Sequence, residues 1–529
     1  MAAQNFVQLF HQRIQQSGPR TALQEKRDGV WTPITWDEWS QASENLAAWL
    51  LTESIQPGDR VGILSNSRPE WVMSDIGILM SGAATVTIYQ SNTADQIKYI
   101  VNDSGLTVLI AEDPSQLEKL NQIRKVCPGL KKVVLIKDTA HLEKARSDGK
   151  TQLTLSDLSV DPAWVTAWSE VMTAGLKALA TQKAPLEKLR AELPPDQLAT
   201  VVYTSGTTGD PKGVMLDHRA FVFECNSVNT IIGIHDDDIQ VLFLPLAHIF
   251  AKILYLTAVE NGSQIAFAES VAKVVDNIGE IRPTYMGSVP RIYEKVYSKV
   301  QAGVQQAGGL KEKIFHWSVG VGNQMSACLQ KNEAPGVFLN LKYKVATKLV
   351  FGKLQQRFGG RLKFFVSGGA PLSREIAEFF HAAGILILEG YGLTETTAAS
   401  HVNRLEKYRF GTVGPAIPGT ECKIAEDGEI LLRGPNIMRG YWQNAAATAE
   451  VLEKDGWFHS GDIGVIGDDD ILKITDRKKD LIVTAGGKNI APQNMENSLK
   501  TYPLVSQVMV HGDKRSFLTA LFTLDEAQL

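Results

Sequence analysis

The stretch Leu198-Ala-Thr-Val-Val-Tyr203-Thr-Ser-Gly-Thr-Thr-Gly-Asp-Pro-Lys-Gly-Val-Met215 decides how the rest of the chain is read. It begins with an apolar, β-branched run, the composition of a buried strand. The eleven residues from Thr204 to Val214 then hold three glycines, four hydroxyls and one lysine. A glycine-rich loop leaving a strand can turn backbone N–H groups toward a phosphate, hydroxyls add donors, and a lysine adds a mobile positive charge. The loop is therefore expected to hold polyphosphate. A Walker A loop needs Gly-Lys-Ser/Thr in a row. Here Lys212 follows a proline and precedes Gly213, which argues against a P-loop NTPase or kinase. The competing reading is a surface turn, but turns seldom need so many hydroxyls beside a lysine.

Upstream of this loop, strand and helix patterns alternate. Arg60 to Leu64 reads as a strand, Pro69 to Met80 as a helix and Ala84 to Tyr89 as a strand. Ala94 to Val101 is helical and Thr107 to Ala111 another strand, giving a βαβαβ unit with a parallel sheet. Further upstream, Val30 to Thr35 looks like a strand, and Thr35-Trp-Asp-Glu38 has capping-box spacing. A second alternating run occupies about 196–290, with strands at Gln264 to Phe267 and Thr284 to Gly287 and a helix from Val271 to Ile281 between them. Residues 295–360 are basic, amphipathic and helical in period. A third strand–loop–helix runs from Leu362 through Ser367-Gly-Gly-Ala370 into Ser373 to Ala383. Residues 410–475 turn to short β runs with many glycines, as in a small barrel or sheet. Thr475-Asp-Arg-Lys-Lys-Asp480 is highly charged and reads as a linker.

Composition sets bounds. A chain of 529 residues exceeds one ordinary core, so at least two domains are expected. A net charge of −4 with no basic block gives nucleic acid binding little support. The four cysteines, Cys127, Cys225, Cys328 and Cys422, are far apart and form no Cys-x-x-Cys, so neither a zinc site nor a disulfide framework is indicated. A reducing cytoplasm fits. Met1 to Phe10 lacks the basic and apolar segments of a signal peptide, while Phe6, Phe10 and Ile14 recur at helical spacing. The most apolar window, Ile239 to Val259, is interrupted by Pro245, His248 and Lys252. It reads as a buried strand, a turn and a core helix rather than a transmembrane span. Peripheral membrane contact is left open.

Other segments carry chemistry only in combination. The paired glycines of Ser367-Gly-Gly-Ala-Pro371 permit close approach to a flat ligand such as a purine, or serve a helix start. Glu389-Gly-Tyr-Gly-Leu-Thr-Glu395 offers a tyrosine face, glycines for clearance, a hydroxyl at Thr394 and a hard oxygen ligand at Glu395. Mg²⁺ on a polyphosphate is usually held by one or two such groups plus the phosphates. A helix N-terminal charge is the alternative for Glu395. Asp462 in Ser460-Gly-Asp-Ile-Gly464 can accept both ribose hydroxyls, or simply make an Asp turn.

The order of these pieces is more informative than any one of them. The phosphate loop, Pro245-Leu-Ala-His248, Tyr391-Gly-Leu-Thr-Glu395, Ser460-Gly-Asp462 and Asp476-Arg-Lys-Lys-Asp480 together resemble the adenylate-forming (AMP-binding) enzymes. That family contains acyl-CoA synthetases, luciferases and peptide-synthetase adenylation domains. Within it, Ser288-Val-Pro-Arg-Ile-Tyr293, the helical 295–360 insert and Gly487-Lys-Asn-Ile-Ala-Pro492 look like a long-chain fatty acyl-CoA synthetase. The resemblance implies ATP, Mg²⁺ and coenzyme A as the reaction's small molecules and a fatty acid as substrate. It implies that Thr204, Ser205, Gly206, Thr207, Thr208, Gly209 and Lys212 embrace the ATP phosphates. By the same resemblance Gly369 and Ala370 with Gly390, Tyr391 and Gly392 would border adenine. Thr394 and Glu395 would engage phosphate and metal, with Thr204 beside the metal. Asp462 would hold the ribose, assisted by Arg477, and His248 would sit beside the acyl carboxylate. Lys479 matches a hinge about which a small C-terminal domain turns. No residue nucleophile is needed, in keeping with the absence of a Ser/His/Asp or Cys/His signature.

The implied architecture is α/β. A large N-terminal domain, 1–475, contains two βαβ-type parallel sheets and a small β-barrel-like part. A hinge at 476–481 leads to an α+β C-terminal domain, 482–529. The family carries a lysine near the end of that domain, and no matching Gly-Lys-type motif follows Ile490. The C-terminal domain is thus expected to be incomplete and adenylation by the chain as it stands to be weakened. A homodimer is compatible with this picture. Two rival readings are a fatty acyl-AMP ligase that passes its adenylate to a carrier protein, and a non-catalytic nucleotide- or acyl-binding scaffold.

Overall fold

The apolar runs pair into two eight-stranded sheets. A computed structural model describes residues 3–137, 161, 163–204, 210–483, 489–500, 502, 504–515 and 517–525. The first sheet runs, edge to edge, Gly440–Tyr441, Lys212–Asp217, Leu198–Thr204, Ala84–Ile88, Arg60–Leu64, Val108–Ala111, Lys132–Leu135 and Val165–Ala167. From Leu198–Thr204 to the far edge all neighbours are parallel, as strand–helix alternation requires. After the glycine-rich loop the chain returns antiparallel. Lys212–Asp217 pairs with Leu198–Thr204, which sets Thr204 opposite Lys212.

The second sheet runs His401–Val402, Ile387–Tyr391, Phe364–Ser367, Tyr285–Ser288, Ile239–Leu242, Gln264–Phe267, Thr21–Arg27 and Val30–Thr35. Residues 196–290, which read as one alternating run, are therefore divided between the sheets. Helix His218–Ile232, capped by the Asp217 side chain, carries the chain from one to the other. The Thr35 capping box forms as its spacing predicts: the Glu38 N–H donates to Thr35 Oγ1 at 3.2 Å, and the Thr35 N–H to Glu38 at 2.7 Å.

One apolar cluster joins the facing sides of the two sheets through the helices Phe6–Ser17, Trp36–Thr52, Pro69–Met80, His218–Ile232 and Ile249–Asn261. The window from Ile239 to Val259 is a strand, a turn and a core helix. Its Lys252 is fully buried, 2.7 Å from Asp75. No helix among the described residues is long and apolar enough to cross a membrane.

The glycine-rich region after residue 410 forms a four-stranded antiparallel sheet: Glu421–Ile424, Glu429–Arg433, Phe458–Ile466 and Leu472–Arg477. Its last strand takes three residues, Thr475, Asp476 and Arg477, from the segment read as a linker, and Asp476 and Arg477 pair with Ile463 and Asp462. Beyond it, helix Pro492–Leu499 packs on the hairpin Val505–His511 and Thr519–Leu524. Arg291 reaches from the large domain to the Ser506 carbonyl at 3.0 Å and its hydroxyl at 3.1 Å.

Candidate active site

Strands Ala84–Ile88, Leu198–Thr204, Phe364–Ser367 and Ile387–Tyr391 all open at their carboxyl ends onto one cavity of about 1030 Å³. Open α/β sheets place ligand crevices at such ends, where backbone leaves the ladder and small residues permit approach. The third sheet closes the cavity with Ser460, Gly461, Asp462 and Arg477.

Three groupings face this space, two of them polar. On the phosphate-loop side, Thr204 and Lys212 are opposed across the hairpin, with Thr204 Oγ1 3.5 Å from the Lys212 carbonyl oxygen. The Lys212 ammonium lies 4.9 Å from the centre of the Tyr441 ring. The Tyr441 hydroxyl donates to Glu395 Oε1 at 2.8 Å. Tyr441 thus ties the lysine of one motif to the carboxylate of another, leaving the second Glu395 oxygen for a further partner. Burial, with Glu395 beside it, raises the Tyr441 pKa, so the hydroxyl keeps its proton.

Opposite, the buried Tyr391 hydroxyl donates to Asp462 Oδ2 at 2.6 Å. Arg477 Nε lies 3.4 Å from Asp462 Oδ1. Burial raises the Asp462 pKa, opposed by the Tyr391 hydrogen bond and the Arg477 charge. Glu429 fixes this strand from behind. It accepts from the Gly461 N–H at 2.9 Å and pairs with Lys478 at 2.9 Å.

The third grouping is apolar with a single imidazole. Helices His218–Ile232 and Ile249–Asn261 and strand Phe364–Ser367 contribute Val228, Ile232, Phe250, Ile253, Leu254 and Val366. His248 caps the second helix, accepting from the Phe250 N–H at 3.2 Å through Nδ1. Burial lowers its pKa, so the ring is neutral near pH 7 and, with Nδ1 accepting, carries its proton on Nε2.

The cavity thus gathers Thr204, Lys212, His248, Gly369, Gly390 and Tyr391 with Gly392, Thr394, Glu395, Asp462, Arg477 and Lys479. Ala370 is exposed and does not line it; Gly368 does. The turn explains the shift, since Gly369 has a positive φ of 78° and carries the next residue away. Ser205, Gly206, Thr207, Thr208 and Gly209 lie outside the described residues. Lys479 sits in a turn closed by the Asp480 N–H to the Arg477 carbonyl at 3.0 Å.

Sequence reasoning missed Tyr441, Glu429 and the wall formed by Thr87, Tyr89 and Asn92. Tyr89, read as the last residue of a strand, lies just past its end at Ile88, and burial pushes its pKa up to about 12. The fit to Mg²⁺ rests on Glu395 with one oxygen engaged. Among the described residues no cluster of three or more His, Cys, Asp or Glu could hold a metal alone. A single carboxylate that shares the ion with phosphate oxygens is the arrangement Mg²⁺ accepts.

The chain is similar to known proteins over most of its length. The model of the AMP-binding enzyme family matches residues 10–442, and that of the AMP-binding enzyme C-terminal domain matches residues 479–528. Long-chain-fatty-acid–CoA ligase FadD15 of Mycobacterium bovis is 36% identical over 500 residues, 94% of this chain and 78% of the relative. Long-chain-fatty-acid–CoA ligase ACSBG2 of Xenopus laevis is 31% identical over 533 residues, 98% of this chain and 69% of the relative. Among solved structures, the A domain of carboxylic acid reductase from Segniliparus rugosus, in complex with AMP and a co-purified carboxylic acid, superposes with a TM-score of 0.76 at 20% identity. That match covers 99% of this chain and 82% of the other. The anthranilate CoA ligase AuaEII, in complex with anthranoyl-AMP, gives 0.73 at 20% identity over 99% and 88% of the two chains. These two structures establish a shared fold.

Proposed function

The chain belongs to the AMP-binding enzyme family, and from that premise we propose that it activates a long-chain fatty acid with ATP and transfers the acyl group to coenzyme A. The observation that carries this reading is the single cavity shared by a polar end and an apolar end. A nucleotide alone would not need the apolar walls, and an apolar ligand alone would not need Lys212, Glu395 and Asp462.

In the first half-reaction a fatty carboxylate oxygen attacks the α-phosphorus of ATP, forming an acyl–phosphate bond as the bond to pyrophosphate breaks. Thr204 and Lys212 meet the charge on the phosphates, Asp462 accepts the ribose hydroxyls, and Tyr391 offers its face to adenine. Mg²⁺, held by Glu395 with the phosphates, would supply charge neutralisation. His248 offers a neutral N–H beside the carboxylate, which adds a donor without trapping the anion in an ion pair. In the second half-reaction the coenzyme A thiol loses its proton and attacks the acyl carbonyl, and AMP leaves. The two half-reactions need different groups at one place. A turn of the C-terminal domain about Lys479 would present them in sequence, and the domain arrangement 1–475, 476–481 and 482–529 follows from that reading.

Isotope exchange between pyrophosphate and ATP tests the first half-reaction. It should require both a long-chain fatty acid and Mg²⁺ and proceed without coenzyme A. Exchange that is independent of fatty acid would rule out adenylation of that substrate.

A further inference from the structure

The apolar cavity accounts for the inner helices but not for an outer one. Residues 337–357 form one helical run, Val337–Ala346 continuing through the π-turn Thr347–Phe351 into Gly352–Arg357. One side is spent on the core: Ala346, Phe351 and Leu354 are buried. The other side is bare. Val337 and Phe338 are each 83% exposed, Leu341 62%, Val345 44% and Leu349 48%. Val337, Leu341, Val345 and Leu349 recur every fourth residue, so they form a stripe along one face, with Phe338 beside its beginning. Surface helices normally put charged and polar residues there.

The charge around this stripe is one-sided. No Asp or Glu occurs between Glu333 and Glu375, whereas Lys342, Lys344, Lys348, Lys353 and Arg357 all lie on the helical run and are exposed. The chain as a whole has four more acidic than basic residues, so this is a local reversal of sign. By helical position, Lys344 and Lys348 border the stripe on one side and Lys342 on the other, and Lys353, four residues after Leu349, closes its end.

We propose that the outer face of residues 337–357 is a docking surface for an anionic phospholipid bilayer. Phe338, Leu341 and Val345 enter the headgroup–acyl boundary while the flanking lysines pair with lipid phosphates. A bare apolar stripe rimmed by lysines is complementary to such an interface in both hydrophobicity and charge. It suits a water-soluble protein poorly, and a second copy of the chain would bring the same lysines against one another. The surface is separate from the cavity and does not depend on the reading given to it.

Flotation of the full chain with phosphatidylcholine vesicles, with and without phosphatidylglycerol, tests the proposal. The wild-type chain should float with the phosphatidylglycerol vesicles and be released by salt. The double variant Val337→Ser/Phe338→Ser should bind at least tenfold more weakly. Lys342→Gln/Lys344→Gln/Lys348→Gln should lose about fivefold per lysine and with it the preference for phosphatidylglycerol. All five positions are exposed, so thermal melting should match that of the wild type. The proposal is overturned if the wild-type chain floats with neither vesicle. It is equally overturned if the serine pair binds like wild type, or if sedimentation shows a dimer that the serine pair dissolves.

Discussion

Glu395 and Tyr441 meet at 2.8 Å although 46 residues separate them. Glu395→Gln keeps the shape but removes the negative charge, and adenylate formation should fall about 10²–10³-fold, the effect of losing a principal electrostatic group. Tyr441→Phe keeps the ring against Lys212 and removes only the hydroxyl. A hydrogen bond to a charged group contributes about 1.5–3 kcal/mol, so the rate should fall about 10- to 150-fold. Stopped-flow pyrophosphate release compares the two. A glutamine variant that releases pyrophosphate at the wild-type rate would remove Glu395 from its role. At this scale the sequence exposed groups that act within a contiguous motif. Glu395 stood beside Thr394 and Tyr391, whereas Tyr441 acts only through a partner brought from the distant 3-10 turn Thr394–Thr396.

The turn between strand Phe364–Ser367 and helix Arg374–Ala382 is held by a buried acid. Glu389 accepts from the Leu372 N–H at 2.9 Å. Burial raises the Glu389 pKa to about 7 from the usual 4.5, the single hydrogen bond opposing only in part. A carboxyl raised in the folded state stabilises fully below its unfolded pKa, and that stability is lost as pH rises through the folded value. Glu389→Gln keeps an acceptor for Leu372 without the titration. It should therefore gain stability over wild type as pH rises from 4.5 past 7, by about 3 kcal/mol at 1.36 kcal/mol per pKa unit. Denaturant midpoints at pH 5 and pH 8 read this, and a constant difference between the two proteins would contradict it. The turn at Lys479 carries a second expectation. Lys479→Pro fixes φ, so thioester formation from pre-made acyl-adenylate should suffer more than adenylate formation. Equal losses in the two partial reactions would deny the hinge. Elements with strong periodicity, such as Pro69–Met80, were legible to the residue. Helix Trp168–Glu192 was not. It buries only Val171 and Gly175 and contains Pro185, so no apolar stripe announces it. Gly175 shows what holds it, since a Cβ there would meet the Asn45 carbonyl oxygen at 1.9 Å.

Across the whole molecule, the parallel sheets were legible as alternating strand and helix, but their membership was not. Leu198–Thr204 and Ile239–Leu242 are near in sequence and lie in different sheets, because the deciding contacts are long-range. The same long-range packing sets the apolar end of the cavity against its nucleotide end. An acyl chain there should gain roughly 0.8 kcal/mol per buried CH₂, so catalytic efficiency should climb about fourfold per methylene until the cavity is filled. Equal efficiency on acetate and palmitate would reject the long-chain reading. The most direct test of the account identifies every product formed from palmitate, Mg-ATP and coenzyme A by mass spectrometry, with coenzyme A present or withheld. Palmitoyl-CoA, AMP and pyrophosphate should form in equal amounts with coenzyme A, and palmitoyl-AMP without it. ADP and phosphate as the nucleotide products, or an adenylate that coenzyme A fails to consume, would contradict it.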